Sequence, residues 1–153
     1  MKSYWTWVAA AGVVLVGAIW WAGRPPSPSG NTAAAGVLLK PDDKALVERG
    51  ARVYAQNCAT CHGADLKGQP GWRRNPRLAP AHDETGHTWH HPDTLLVAVT
   101  RDGTVFRGGA MPPFGKVLSE EDIIAVLSFI KSRWPEEIRA AHDRINRRAA
   151  GRG

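Results

Sequence analysis

The chain has 153 residues and a formal net charge of +6, with 43% apolar and 22% charged residues. This composition is typical of a globular protein and excludes a chain that is disordered throughout. Its 11 prolines and 16 glycines follow no repeating period, which excludes collagen. The two cysteines, Cys58 and Cys61, are too few for a disulfide scaffold, a four-cysteine zinc site or a four-cysteine iron–sulfur cluster.

The first segment of the chain is apolar and rich in tryptophan. Residues 4–23 carry no charged side chain, and as a helix they would span roughly 30 Å, the thickness of a bilayer core. Pairs of tryptophans at both ends match the aromatic belts of membrane–water interfaces. We therefore expect residues 1–23 to form one transmembrane anchor. A signal peptide is the alternative, although Trp20 and Trp21 stand where cleavage favours small residues.

The rest of the chain divides into a linker, a domain and a tail. Residues 24–40 are rich in proline, serine, glycine and alanine, which is typical of a flexible linker. Residues 41–134 are long enough for one small domain. Residues 135–153 form a basic C-terminal tail. A basic helix there would suit an anionic lipid surface or an acidic partner, but we favour a solvated, partly frayed terminus.

Helical signals dominate the domain. Pro41 and the two acidic residues after it predict the start of a first helix, and Pro92 and Gly103 bound a second, shorter one. Ser119 predicts the start of a third helix, which Trp134 and the proline after it end. No segment alternates in the manner of a strand. We therefore expect an all-α domain of three to four helices.

The sequence Cys58-Ala59-Thr60-Cys61-His62 carries the clearest chemical signal. Two thiols at this spacing add to the two vinyl groups of one haem, and the histidine that follows is then held against the iron. A thioredoxin-like redox pair would need a βαβ setting, and a structural zinc site would need further ligands. We therefore predict one covalent haem c on Cys58 and Cys61, with His62 as an axial ligand of the iron.

Met111 is the candidate for the second axial ligand. The other methionine, Met1, lies at the start of the predicted anchor, on the opposite side of the membrane from the domain. Two glycines before Met111 allow close backbone approach, and two prolines after it stiffen the loop. A thioether ligand favours ferrous iron and raises the reduction potential. The alternative is a hydrophobic methionine in a core loop.

The order of these motifs resembles that of the class I cytochromes c over most of residues 42–134. Gly50 and Tyr54 match the glycine and the aromatic residue that the family places on the helix before its haem motif. The stretch 75–78, Asn-Pro-Arg-Leu, and the methionine loop 109–114 are similar to two further family motifs. An aromatic contact between the first and last helices completes the pattern, for which Phe129 or Trp134 is suited.

The resemblance implies a fold wrapped around one haem and a role for two more residues. By analogy, the carbonyl of Pro76 accepts the ring N–H of His62, and Leu78 lines the haem pocket. The family attaches haem on the outer side of the bacterial cytoplasmic membrane. The resemblance therefore implies a single-pass protein with its haem domain in the periplasm.

The function that the resemblance implies is one-electron transfer between respiratory proteins. We expect no nucleic acid partner and no small-molecule substrate. The protein would therefore be an electron carrier and not an enzyme. Two alternatives stay open. The chain would otherwise be a fixed haem subunit of a larger dehydrogenase or oxidase assembly, or a haem enzyme or sensor whose sixth iron position is open.

Four of the six histidines lie in residues 82–91, which we call the histidine loop. Imidazoles and carboxylates in one short loop suit copper or zinc, so this loop is a candidate second metal site. Its candidate ligands are His82, His87, His90 and His91. The alternative is a solvated polar loop that leads into the helix at Pro92.

Overall fold

The computed structural model describes residues 38–151, so the predicted anchor and nearly all of the linker lie outside the described residues. This part of the chain forms five α-helices: α1 Lys44–Asn57, α2 Ala59–His62, α3 Asp93–Asp102, α4 Glu120–Ser132 and α5 Glu136–Ala150. Two 3₁₀ turns, Thr88–His90 and Val105–Arg107, flank α3. Residues 38–151 contain no strand, which confirms the all-α prediction for them.

Residues 41–134 contain four of these helices, α1 to α4, which agrees with the three to four predicted for the domain, and α5 lies in the tail. Among residues 38–151, none of the helices has the length and apolar character needed to cross a bilayer.

Helix α1 begins at a capped end and packs chiefly against α4. The side chain of Asp43 accepts a hydrogen bond from the backbone N–H of Leu46 (3.1 Å), which satisfies one of the free donors of the first turn. Gly50 lies at the crossing, where an added Cβ would collide with the carbonyl of Ala125 on α4. One turn further on, the rings of Tyr54 and Phe129 meet with centroids 5.4 Å apart. Phe129 therefore makes the predicted aromatic contact between the two helices.

Helix α4 is the centre of the core. Ser119, which predicted the start of this helix, forms a reciprocal capping box with Asp122. Most of its apolar side chains are buried, and they pack with side chains from α1 and α3 and with Trp134. The large buried side chains of α4 are those of Ile123, Val126, Leu127 and Ile130. The core thus lies between α1, α3 and α4, beside the turn that carries the cysteine motif.

Helix α5 packs against the domain, so the prediction of a frayed C-terminal tail is wrong for residues 136–150. His142 and Asn146 on its inner face are fully buried. Asn146 exchanges two hydrogen bonds with Asp93 at the start of α3, and Lys131 at the end of α4 pairs with Asp143 at 2.5 Å. Ile138 also packs against the core, but the two fully buried side chains of α5 are polar, and apolar periodicity gave no sign of them.

The buried carboxylate of Asp93 also holds the beginning of the described chain. One of its oxygens accepts hydrogen bonds from the backbone N–H groups of Leu38 (2.7 Å) and Leu39 (3.0 Å). Hydrogen bonds to a charged acceptor are stronger than neutral ones. The segment that follows the linker, the start of α3 and α5 are therefore joined at one buried polar junction.

Candidate haem-binding site

The two cysteines and the histidine of the motif share one tight turn. Helix α2 follows α1 with only Cys58 between them, and the N–H groups of Cys61 and His62 both donate to the carbonyl of Cys58 (3.1 and 2.9 Å). Gly63 ends the turn in a left-handed conformation, with φ of 79°. Cys58 is half-buried and Cys61 is exposed, and no disulfide joins them.

The Cys58 thiol is not activated as it is in redox-active pairs. Burial, with a smaller contribution from the neighbouring Cys61, raises its pKa to about 11. At neutral pH it is therefore a neutral thiol, whereas catalytic Cys-x-x-Cys pairs have a lowered pKa. The structure thus argues against the thioredoxin-like alternative.

The His62 ring has the orientation and the protonation state of a metal ligand. Its ring is 7% exposed, and its Nδ1 lies 2.8 Å from the carbonyl oxygen of Pro80. A carbonyl only accepts hydrogen bonds, so Nδ1 carries the proton and Nε2 keeps its lone pair. Burial lowers the pKa of His62 and so favours the neutral ring, and the hydrogen bond to the Pro80 carbonyl offsets this only in part. A neutral imidazole fixed through one nitrogen is the usual state of a histidine ligand.

The carbonyl that orients His62 was assigned to the wrong proline. Pro76 is exposed and lies in a turn closed by the N–H of Leu78 and the carbonyl of Asn75 (3.0 Å). The carbonyl that lies beside His62 belongs instead to Pro80, four residues after Pro76. Leu78 is half-buried, and its contact with haem stays a prediction.

The loop that carries Met111 is fixed to the end of α3. The hydroxyl of Thr104 accepts a hydrogen bond from the N–H of Met111 (3.1 Å), and the N–H of Thr104 donates to the Met111 carbonyl (2.8 Å). Gly103, with φ of 71°, lies so close to the loop that an added Cβ would meet backbone atoms of residues 111–113. The Met111 backbone is therefore held on both sides, as a ligand-bearing loop requires.

The residues present fit a covalent haem. Two thiols and a neutral imidazole with an unused Nε2 lie on one turn, which is the donor set that c-type attachment needs. Val105 and Phe106, just before the Met111 loop, are 57% and 65% exposed.

The histidine loop does not assemble the predicted second metal site. His82 stacks on His62 with centroids 3.9 Å apart, whereas His90 stacks on Trp89 at 3.7 Å. Only His87 and His91 face one another, edge to face at 5.6 Å. Within residues 38–151, no group of three or more histidine, cysteine or acidic side chains is placed to hold a metal ion. The four-histidine site was therefore a wrong prediction, because the loop turns its rings in different directions.

Sequence reasoning missed three residues at this site. Pro80 was passed over because another proline stood in the expected motif, and Thr104 has no motif of its own. His82 was read as a metal ligand, whereas the structure places it against His62. Burial lowers the pKa of His82 well below its usual value, and the neighbouring His62 and His87 add to this. Each of these placements depends on tertiary contacts that spacing along the chain does not reveal.

The site has the donor set of a c-type cytochrome, and comparison with known proteins identifies the family. The family described as cytochrome C oxidase, cbb3-type, subunit III, matches residues 45–130, more than half of the chain. The chain belongs to this family. The resemblance to class I cytochromes c is thereby confirmed, and the cofactor is covalently bound haem c. Helix α5 and Trp134 lie beyond the matched residues of this cytochrome domain.

Curated relatives support the same family. Cytochrome c550 of Pseudomonas aeruginosa is 37% identical over 86 residues, which cover 56% of this chain and 54% of that protein. The cbb3-type cytochrome c oxidase subunit FixP of Azorhizobium caulinodans is 33% identical over 90 residues, 59% of this chain and 28% of FixP. The gluconate 2-dehydrogenase cytochrome c subunit of Pantoea cypripedii is 32% identical over 104 residues, 63% of this chain and 22% of that subunit.

The matched segment thus spans about half or less of the length of each of these relatives. No solved structure matches the chain.

Proposed function

We propose that this cytochrome is a membrane-anchored electron carrier that passes single electrons between respiratory complexes. Its haem is attached through Cys58 and Cys61, with His62 and Met111 as axial ligands of the iron. The observation that carries the proposal is the α2 turn, where both thiols lie beside a histidine whose Nδ1 is bonded to Pro80 (2.8 Å) and whose Nε2 is free.

The residues around the haem have separable tasks. Bound haem supplies a centre that gains or loses one electron. The two cysteines prevent its loss, and the Pro80 carbonyl keeps the Nε2 of His62 unprotonated. A Met111 thioether favours the reduced state. The proposal includes no binding or conversion of a small-molecule substrate. The protein would act as an electron carrier and not as an enzyme.

The proposed location is the bacterial cytoplasmic membrane, with one span at residues 1–23 and the haem domain in the periplasm. The uncharged stretch 4–23, with tryptophans at both ends, supports the anchor. A linker rich in proline, serine and glycine would let the domain move between partners while holding it near the membrane. Respiratory redox proteins are therefore the proposed partners.

A second candidate function is that of a fixed haem subunit in a larger assembly. The names of the matching proteins support it, since the family is that of an oxidase subunit and one relative is a dehydrogenase subunit. The two functions differ in whether the protein stays with one complex.

Purification of the tagged full chain in mild detergent distinguishes the two. A carrier is expected to elute as a haem protein free of other subunits, and alkaline washing should leave it in the membrane fraction. Elution at constant stoichiometry with oxidase or dehydrogenase subunits would contradict the carrier and favour the fixed subunit.

His62→Ala should abolish the low-spin haem spectrum, whereas His90→Ala, at an exposed ring of the histidine loop, serves as the matched control.

A further inference from the structure

The ring of His82 covers one face of the predicted iron ligand His62. The two rings are nearly parallel, with an interplanar angle of 21° and centroids 3.9 Å apart. The Pro80 carbonyl fixes His62 through one ring atom, and rotation about that hydrogen bond is still open. A second ring against its face blocks this rotation. His82 therefore supplies the constraint on His62 that the hydrogen bond alone lacks.

His82 is itself held at three atoms. Its backbone N–H donates to the carbonyl of Leu66 (2.7 Å), and its Nδ1 lies 2.8 Å from the hydroxyl of Thr88. Its carbonyl accepts a hydrogen bond from the indole Nε1 of Trp134 (2.7 Å). Because both the backbone and the side chain of His82 are hydrogen-bonded, its ring is a rigid support rather than a mobile surface group.

Trp134 connects this support to α5. The indole is 3% exposed, and its ring meets the edge of His142 at 86° with centroids 5.1 Å apart. The Nε2 of His142 lies 2.9 Å from the carbonyl oxygen of His91. Trp134 and His142 therefore fasten the histidine loop at its two ends, through the carbonyls of His82 and His91. Both side chains lie outside the segment 45–130 that matches the family.

We propose that His82 and Trp134 are positioning residues for the haem ligand: Trp134 fixes the backbone of His82, and the His82 ring fixes the plane of the His62 imidazole. The C-terminal helix beyond the family segment then serves as a buttress of the haem site. This proposal rests on the proposed ligation of the iron by His62.

The orientation of an axial imidazole has its own spectroscopic signature. In low-spin ferric haem, the order and spread of the haem methyl proton shifts depend on the orientations of the axial ligands, among them the direction of the imidazole plane. This readout is independent of electron-transfer activity, and the rescue and control variants below distinguish the His62 plane from a general change in structure.

The experiment compares NMR spectra of the ferric full-length holoprotein. His82→Ala removes the ring but keeps the carbonyl that Trp134 binds, and Trp134→Phe keeps a ring but removes the donor. Both are expected to shift the haem methyl pattern away from that of the wild type. His82→Phe restores a flat ring and should return the pattern toward the wild type.

Trp89→Phe is the matched control. Trp89 also donates its indole N–H to a carbonyl of the histidine loop, that of Glu84 (3.2 Å), but it stacks on His90. Its substitution should leave the haem methyl pattern unchanged.

Each outcome decides one part of the proposal. Wild-type patterns in both His82→Ala and Trp134→Phe would overturn it while leaving haem ligation by His62 intact. A change in His82→Ala alone would overturn the part assigned to Trp134. Should Trp134→Phe fail to yield holoprotein, the pair His82→Ala and His82→Phe decides whether the ring positions His62. A wild-type protein whose iron is not bound by His62 would overturn the proposed function as well.

Discussion

Gly50 permits the close crossing of α1 and α4. A Cβ at this position would collide with the Ala125 carbonyl and lie 2.8 Å from the Cβ of Phe129. Gly50→Ala is therefore expected to destabilise the holoprotein by about 1–3 kcal/mol, the usual cost of overpacking a core. Guanidinium unfolding followed by circular dichroism measures this. Gly151→Ala is the control, since its Cβ would meet only an ordinary contact at 3.7 Å. Equal stability of both variants would contradict the close crossing.

Asn146 satisfies both the backbone and the side chain of Asp93. Its amide oxygen accepts from the Asp93 N–H (2.7 Å), and its amide nitrogen donates to the carboxylate (2.9 Å). Asn146→Ala leaves two buried polar groups short of a partner and should lower the unfolding free energy by about 2 kcal/mol. The neighbouring exposed Arg147→Ala should leave it nearly unchanged. A similar midpoint for the two variants would show that the junction does not stabilise the fold.

The covalent part of the site was predictable at the scale of single residues, but its support was not. Cys58, Cys61 and His62 act within one turn, so their spacing in the sequence encodes their geometry. The carbonyl that orients His62 belongs to Pro80, eighteen residues further along the chain. Which carbonyl arrives depends on the path of the intervening loop, which no local pattern specifies.

At the scale of elements, caps and apolar faces predicted α1, α3 and α4, but they did not predict how α5 packs. Helices α1 and α4 have their side-chain caps at Asp43 and Ser119, and α4 has a buried apolar face. The buried residues of α5 are His142 and Asn146, which an analysis of apolar periodicity assigns to the solvent face. A polar contact face becomes visible only when its partners, Asp93 and the His91 carbonyl, are in place.

The docking of α5 is expected to weaken in acid. Burial lowers the pKa of His142, with Lys131 adding to the effect and Asp93 opposing it. The unfolded chain then binds more protons as the pH falls through about 6.5, so the stability present above that pH declines below it. His142→Gln keeps a donor but does not titrate. It should therefore lose less stability than the wild type between pH 7.5 and 5.5.

Guanidinium midpoints at the two pH values measure this difference. The exposed His90→Gln is the control and should lose as much stability as the wild type. A single titrating group contributes no more than about 1.4 kcal/mol per pH unit. An unchanged loss in His142→Gln would contradict the role given to this histidine.

At the scale of the whole molecule, the fold is expected to depend on its cofactor. The described domain is small, and long loops separate α2 from α3 and α3 from α4. A small domain buries a limited share of its surface, and a ligand that binds only the folded state adds directly to stability. The double variant Cys58→Ala/Cys61→Ala should therefore lose most of its helical signal in circular dichroism. A native-like spectrum of this variant without haem would contradict the expectation.

The central claim is that His62 and Met111 both bind the iron of a covalently attached haem, which closes the sixth position as suits an electron carrier. Its most direct test is the absorption spectrum of the full-length protein, ferric and then ferrous, before and after addition of carbon monoxide. We predict a low-spin ferric spectrum with the weak long-wavelength band of a thioether ligand, and a ferrous spectrum that carbon monoxide does not change. High-spin features, or a ready shift with carbon monoxide, would contradict the claim and favour an iron with an open sixth position.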